Sequence, residues 1–422
     1  MVATQDLEGL SRKVHRQAKT PRTASVVVES KKPNAGSINA RQALEALRMG
    51  TVPSKYASVL TVGRKAELSA LQANRAVAQG MMIISGEYGT GKTHVLEVSQ
   101  AQALDEGWLV ATAVFDPIDV KPSNPLRIYS ALMRGLRFPN NDGQGLGSLL
   151  EKIGDSRAHL VGKKWHRWLS PALFAHTKCD DQLANDVLEF VSGCGTVNNT
   201  ELMAALRRKG YRKDKMYCLA DWQTFGQIMA YLLGGIATWA RDAGYKGLVI
   251  HLDEAEYLDH LTATSREMAE NVLRYLAMAT LPVESLGFNP DAVYRGGHPV
   301  HREVPWRFQA DQPLVVACTF TPNPALNTVV NRIRCDGEGL MELGALAMGE
   351  LHQLATRIAE VTQTAHPDFK APTAHCQALA HAIKLADAAG ELHSTRDAAR
   401  LAVEFWDIFR HLGPDAALKA LK

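Results

Sequence analysis

The chain has 422 residues, is 46% hydrophobic and carries a formal net charge of +3. These are the values of an ordinary folded protein, with no charge excess that would by itself announce a nucleic-acid binder. Cys179, Cys194, Cys218, Cys318, Cys335 and Cys376 form no CxxC or His–Cys cluster and read as free thiols of a reducing compartment. No apolar run approaches the roughly 20 residues of a membrane span, and no signal-peptide core opens the chain. The expected location is the cytoplasm, with no membrane partner.

In chain order, residues 1–38 are rich in Lys, Arg, Ser, Thr and Pro without apolar periodicity and read as a flexible basic tail. Ala40 to Met49 places Ala43, Leu44 and Leu47 on one face of a short amphipathic helix. Leu60-Thr-Val-Gly-Arg-Lys-Ala-Glu-Leu68 leads into a helix through Ala78. Met81 to Ile84 then reads as a buried strand, followed at once by Gly86, Glu87, Tyr88, Gly89, Thr90, Gly91, Lys92 and Thr93, and by a helical pattern through Val95, Leu96 and Val98. This is the strand–GxxxxGK[ST]–helix arrangement of a Walker A loop.

The chemistry of that loop asks for these residue types. Glycines let backbone N–H groups close on phosphate oxygens, and the helix start adds partial positive charge. Lys92 is expected on the β- and γ-phosphates and the Thr93 hydroxyl on Mg²⁺. The stretch Gly86 to His94 is thus the expected ATP-binding run. The upstream Val62, Gly63 and Arg64, in Val-Gly-Arg-x-x-Glu-Leu, resemble the adenine-side box of AAA+ ATPases close to the origin-recognition type, which implies a place near base and ribose.

Trp108 to Phe115 reads as a second buried strand and Leu126 to Leu136 as a helix. Residues 140–215 are unlike an ATPase core and read as a helical insertion, with helical patterns over Leu146–Ile153, Asp181–Val191 and Leu202–Arg208. Two basic–aromatic clusters, residues 163–168 and 207–215, are candidate DNA or RNA contacts in which Lys and Arg meet phosphates and Trp or Tyr stacks on bases. The bland reading is a solvated face with a few buried aromatics. Trp222 to Ala243 forms a long helical pattern that packs on a sheet.

Gly247 to Glu254 is an apolar strand ending in paired acids. At the C-terminal edge of a parallel sheet it places Asp253 beside the metal and Glu254 where it can polarise an attacking water. Ser265 to Met278 is helical. Residues 284–312, with Arg295, His298, His301, Arg302 and Arg307, read as a long loop or hairpin; the two histidines lack Cys or acidic company and fit a polar loop better than a metal site. Leu314 to Phe320 is another buried strand, ending near Thr319, Thr321 and Asn323. These match the polar sensor position of AAA+ proteins, and any of the three could serve. Arg332 and Arg334 stand at the spacing of an arginine finger that reaches a neighbouring subunit's ATP. From Leu343 onward the chain is helical, with a break at Pro372. Ser394 or Thr395 caps the last strong helix, whose Arg396 resembles the sensor of an AAA+ lid.

The fold expected is α/β: a P-loop NTPase of AAA+-like type, a parallel sheet flanked by helices, over residues 39–342, with a C-terminal helical lid over 343–422. Several segments together resemble the ATP-binding proteins of bacterial BREX phage-defence systems, the BrxC/BrxD-like P-loop family: Arg41 to Arg48, Thr61 to Arg64, Gly86 to His94, Leu252 to Glu256 and Ser394 to Asp397. The resemblance covers roughly residues 40–410, and the chain's size suits the shorter BrxD-like members. It implies an ATPase working beside other defence components, often a large helicase. The leading expectation is an oligomeric enzyme that hydrolyses ATP at a subunit interface and acts on DNA or a DNA-processing partner, with Lys92, Glu254, Thr319, Thr321, Arg332 and Arg334 catalytic and Thr93 and Asp253 on the metal. One alternative is an ATP-binding switch or scaffold with slow turnover. Another is a transposition-type regulator forming filaments on DNA.

Overall fold

The computed structural model describes residues 35–195, 197–219, 225–293, 300–333, 339–392 and 394–421. Five parallel strands form one sheet: β1 (Gln79–Gly86), β2 (Leu109–Val114), β3 (Leu248–Asp253), β4 (Leu314–Phe320) and β5 (Leu340–Leu343), in the order β2-β3-β4-β1-β5. β1 lies between β4 and β5, with Gln79 opposite Leu314, Ser85 opposite Phe320 and Gly86 opposite Leu343. The loop after β1 and the acids after β3 therefore leave the same edge of the sheet, the edge where open parallel sheets bind ligands.

Both faces of the sheet are covered, which explains why its strands read as unbroken apolar runs. Met81, Ile83, Leu109, Ala111, Leu248, Ile250, Leu252, Leu314 and Val316 point to one face. There they meet helices Phe225–Asp242 and Ala263–Thr280. Met82, Ile84, Val110, Val249, Val315 and Ala317 point to the other, against helices Lys65–Ala76 and Lys92–Asp105. The alternation is the period of two of a pleated strand.

The helices of residues 140–215 share their apolar core with the sheet. Leu146, Trp168, Leu173, Phe190, Leu206 and Tyr211 belong to the same buried cluster as helix Phe225–Asp242. Helices Gly145–Ile153, Asp181–Val191 and Asn199–Arg208 match the three expected patterns. A fourth, Leu169–Lys178, was not expected.

A second core is built by helices Met348–Ala365, Thr373–Ala388, Thr395–Leu412 and Pro414–Ala420 together with the first helix, Ala35–Arg48. Ala40, Ala43, Leu44, Leu60 and Val62 are buried among Leu351, Leu354, Ile358, Ala402 and Trp406. Ser37 Oγ and Arg41 Nε both donate to the Ala365 carbonyl, at 2.9 and 3.0 Å. Residues 35–38, read from sequence as the end of a tail, are thus the first turn of a packed helix. Residues 1–34 lie outside the described residues, as do Trp222, Arg295, His298, Arg334, Cys335 and the side chain of His301. Where a long loop was expected, the described part of 284–312 contains short turns at Val283–Ser285 and Pro290–Ala292 and a helical turn at Val300–Glu303. Among the described residues no helix is long and apolar enough to cross a membrane.

Candidate nucleotide site

The P-loop sits where β1 gives way to helix Lys92–Asp105. Gly91 caps that helix at φ 99°, and Gly89 has φ 79°. A Cβ on Gly89 would lie 2.3 Å from Ser394 Cβ, so only glycine lets the loop touch the start of helix Thr395–Leu412. Lys92 Nζ turns back along the loop, donating to the Gly86 carbonyl at 2.7 Å, the Glu87 carbonyl at 3.3 Å and Thr321 Oγ1 at 3.0 Å. Burial pushes the pKa of this ammonium down, opposed by the charges of Glu256 and Asp253.

Three oxygen-bearing groups meet beside it. Thr93 Oγ1 donates to Asp253 Oδ2 at 2.7 Å, and Thr319 Oγ1 donates to Asp253 Oδ1. The Glu254 backbone N–H donates to Asp253 Oδ1 at 3.0 Å and to Thr319 Oγ1 at 3.3 Å. Those bonds hold Glu254 in a left-handed conformation, φ 60° and ψ 41°, which costs a non-glycine residue roughly 1–2 kcal/mol. Its carboxylate is pushed up in pKa, chiefly by burial and then by the charges of Asp253 and Glu256. A hydroxyl and a carboxylate at 2.7 Å make the hard oxygen donor set that Mg²⁺ prefers.

The cleft is lined by Tyr88 through His94, Asp253, Glu254 and Glu256 on one side, and by Thr395, Arg396 and Ala399 on the other. Leu47, Val52, Pro53, Leu60, Val62, Leu346 and Leu354 give it an apolar end. The Arg396 guanidinium lies 4.7 Å from the centroid of the exposed Tyr88 ring and donates to the Tyr88 hydroxyl. The C-terminal helices thereby touch the P-loop directly.

Not every expected residue points inward. Arg64 lines the cleft, but its guanidinium donates to the carbonyls of Thr90 and Gly344 at 2.8 Å each and pairs with Glu67 at 3.2 Å. It joins the P-loop to the start of the C-terminal segment. Gly63 abuts Glu350. His94 Nε2 lies 2.9 Å from Thr61 Oγ1, and burial followed by the charge of Arg64 pushes its pKa down to about 4. Gly86 and Glu87 line a neighbouring cleft with Asn327, Asn331 and Glu342. Arg332, in the last turn of helix Pro324–Ile333, is exposed and does not line the nucleotide cleft. Glu256, Thr395 and the Gly50–Pro53 turn were not assigned to the site from sequence. For Glu256 the signal was the third acid in Asp-Glu-Ala-Glu.

The basic–aromatic clusters need a correction. Trp168 and His166 are fully buried, and Tyr211 is 3% exposed. Arg167 lies over the Tyr217 ring at 4.8 Å and pairs with Glu303 at 3.2 Å. Trp168 and Tyr211 pack beside helix Leu169–Lys178 and cannot stack on bases, while Trp165 is half-buried and donates its Nε1–H to the Tyr211 hydroxyl at 3.3 Å. Arg207, Arg208, Lys213 and Lys215 remain exposed.

Residues 37–164 and 175–287, more than half of the chain, match the family described as BREX system ATP-binding protein BrxC/D. The chain belongs to that family. The chain is thus an ATP-binding protein of a BREX phage-defence system, and β4 and the C-terminal helices lie beyond the matched residues. No curated protein matches the chain. Among solved structures it is similar to the Orc1 protein of Aeropyrum pernix in complex with DNA, at 14% identity and a TM-score of 0.37, over 86% of this chain and 68% of that one. It is also similar to the Walker-type ATPase PabY2304 of Pyrococcus abyssi, at 11% identity and a TM-score of 0.36, over 86% of this chain and 71% of that one. Likenesses this distant add nothing to the sheet order and the P-loop.

Proposed function

We propose that this BREX protein, closest to the shorter BrxD-like members, hydrolyses ATP in the cytoplasm, completes its site at a subunit interface and acts on DNA or on a DNA-processing partner. The observation that carries the reading is the convergence of Lys92, Thr93, Asp253 and Glu254 in one cleft that the C-terminal helices close through Arg396. A module that only binds nucleotide does not need Glu254.

In this reading the P-loop amides and Lys92 hold the β- and γ-phosphates of ATP. Thr93, with Asp253 beside it, would hold Mg²⁺, which when bound neutralises charge on the β- and γ-oxygens. Glu254 takes the proton of a water as its oxygen bonds to the γ-phosphorus and the bond to the ADP oxygen breaks. Thr319 holds Asp253 and the Glu254 backbone in place. Arg396 moves from Tyr88 toward the phosphates when the lid closes over them. Arg332 is exposed away from its own cleft, which fits a group serving the ATP of a second subunit; Arg334 is the other candidate for that role. The exposed Arg207, Arg208, Lys213 and Lys215 supply a sequence-independent grip on phosphate backbones.

ATP turnover measured across protein concentration, with and without double- and single-stranded DNA, tests this account. Turnover per protomer that rises with concentration and with DNA, and is lost in Glu254→Gln, is expected. Tight ATP binding with negligible turnover and no response to DNA would transfer the role to a partner-controlled switch.

A further inference from the structure

The cleft contains a hydrogen-bonded chain that ends on a carboxylate outside the Asp253–Glu254 pair. Lys92 Nζ reaches Thr321 Oγ1 at 3.0 Å, Thr321 Oγ1 reaches Glu256 Oε1 at 2.7 Å, and the Thr321 backbone N–H reaches Glu256 Oε2 at 3.2 Å. The donor directions are fixed by chemistry. An ammonium has no lone pair and a carboxylate has no proton, so the Thr321 hydroxyl accepts from Lys92 and gives its own proton to Glu256. While Glu256 accepts that hydrogen bond, Thr321 cannot donate to a phosphate.

Thr319 and Thr321 thus serve different ends of the site. Thr319 spends its proton on Asp253 and steadies the Glu254 backbone. Thr321 is gripped twice by Glu256 and faces Lys92. Glu256 itself lines the cleft from the first turn of the Ala255–His260 segment, two residues beyond Glu254.

We propose that Glu256 is a positioning residue: by clamping Thr321 as an acceptor it sets where the Lys92 ammonium rests, and so how Lys92 meets the terminal phosphate. Among the charges opposing the effect of burial on Lys92, that of Glu256 is the largest. The inference rests on the reading that this cleft binds and hydrolyses ATP. It goes further by making the third acid of the motif part of the machinery.

The test is a double-mutant cycle on the full chain with Glu256→Ala, Thr321→Val and the double variant, plus Glu256→Gln. Turnover and the affinities for ATP and ADP are measured for each. Because groups acting through one chain are non-additive, each single variant should lower kcat by roughly 10- to 100-fold, the range for partners that orient a functional group. The double variant should be no worse, and ADP affinity should hold. Glu256→Gln keeps an amide oxygen for the Thr321 hydroxyl and should recover part of the loss.

Additive losses, wild-type turnover in Glu256→Ala, or equal loss of ATP and ADP binding in all variants would overturn the proposal; the last is what a purely structural role gives. Failure of the underlying reading looks different, as wild-type protein without turnover or Glu254→Gln with full turnover. In that case the same cycle run on the ratio of ATP to ADP affinity decides whether Glu256 acts through Lys92.

Discussion

Glu254 is the residue whose environment speaks most directly to chemistry. Partial burial and two neighbouring acids raise its carboxyl pKa, which, in the general-base role proposed for it, would bring it closer to the pH at which it must exchange protons. The sign follows. The base acts ionised, so activity falls as pH drops through its pKa, and a raised pKa moves that acid limb above the ordinary carboxylate range. A profile of kcat/KM against pH should show the limb displaced upward, and an acid limb at the ordinary value of about 4.3 would contradict the assignment. At this scale Lys92, Thr93, Asp253 and Glu254 were legible in the sequence, because each stands at a fixed spacing from a strand end that periodicity reveals. The Glu256–Thr321 pair was not. Its partners are 65 residues apart, and the contact exists only because β3 and β4 are neighbours. Arg64 was legible as belonging near the site, but not the turn of its guanidinium toward Thr90 and Gly344.

Helix Phe225–Asp242 shows how an element supports the sheet beneath the site without lining the cleft. It is buried along nearly its whole length between the sheet and the helices of residues 140–215. Gly235 lets it lie flush against the buried His166; a Cβ there would sit 2.4 Å from His166 Cδ2. That imidazole cannot easily retreat. Its Nδ1 accepts from the backbone N–H groups of Trp168 and Leu169 at 3.2 Å, which leaves Nε2 to donate to the Tyr231 carbonyl at 3.3 Å. Alanine would gain up to about 1 kcal/mol of helix propensity. Overpacking costs typically about 1–3 kcal/mol, and strained buried hydrogen bonds add to it. Gly235→Ala should therefore lower stability by about 1–2 kcal/mol in a denaturant titration, while Gly349→Ala, with nothing within 4 Å of its new methyl, should not. A Gly235→Ala variant as stable as wild type would mean that this interface yields more easily than its hydrogen bonds imply. The strands buried on both faces were readable as continuous apolar runs. β5 was not, since of its four residues only Leu343 is buried. Helix Leu169–Lys178 hid because His166 and Trp168 sit among lysines and arginines that made the stretch look like surface.

At the scale of the whole molecule, the first helix joins the last ones. Ala40, Ala43 and Leu44 share a core with Leu351, Ile358 and Trp406, so helix Ala35–Arg48 and the C-terminal helices clasp the apolar end of the cleft between them. Periodicity announces that each of these helices has an apolar face, but not which faces meet across more than 300 residues. This clasp places Arg396 over Tyr88 and Ser394 against Gly89, and nucleotide entering the cleft would have to rearrange those contacts. ATP binding and hydrolysis in one cleft is the central claim. It is tested most directly by calorimetric ATP binding and single-turnover phosphate release on wild type and Glu254→Gln. The account predicts that both bind ATP and that only the wild type releases phosphate. A wild type that does not bind ATP, or a Glu254→Gln variant that releases phosphate at the wild-type rate, would contradict it.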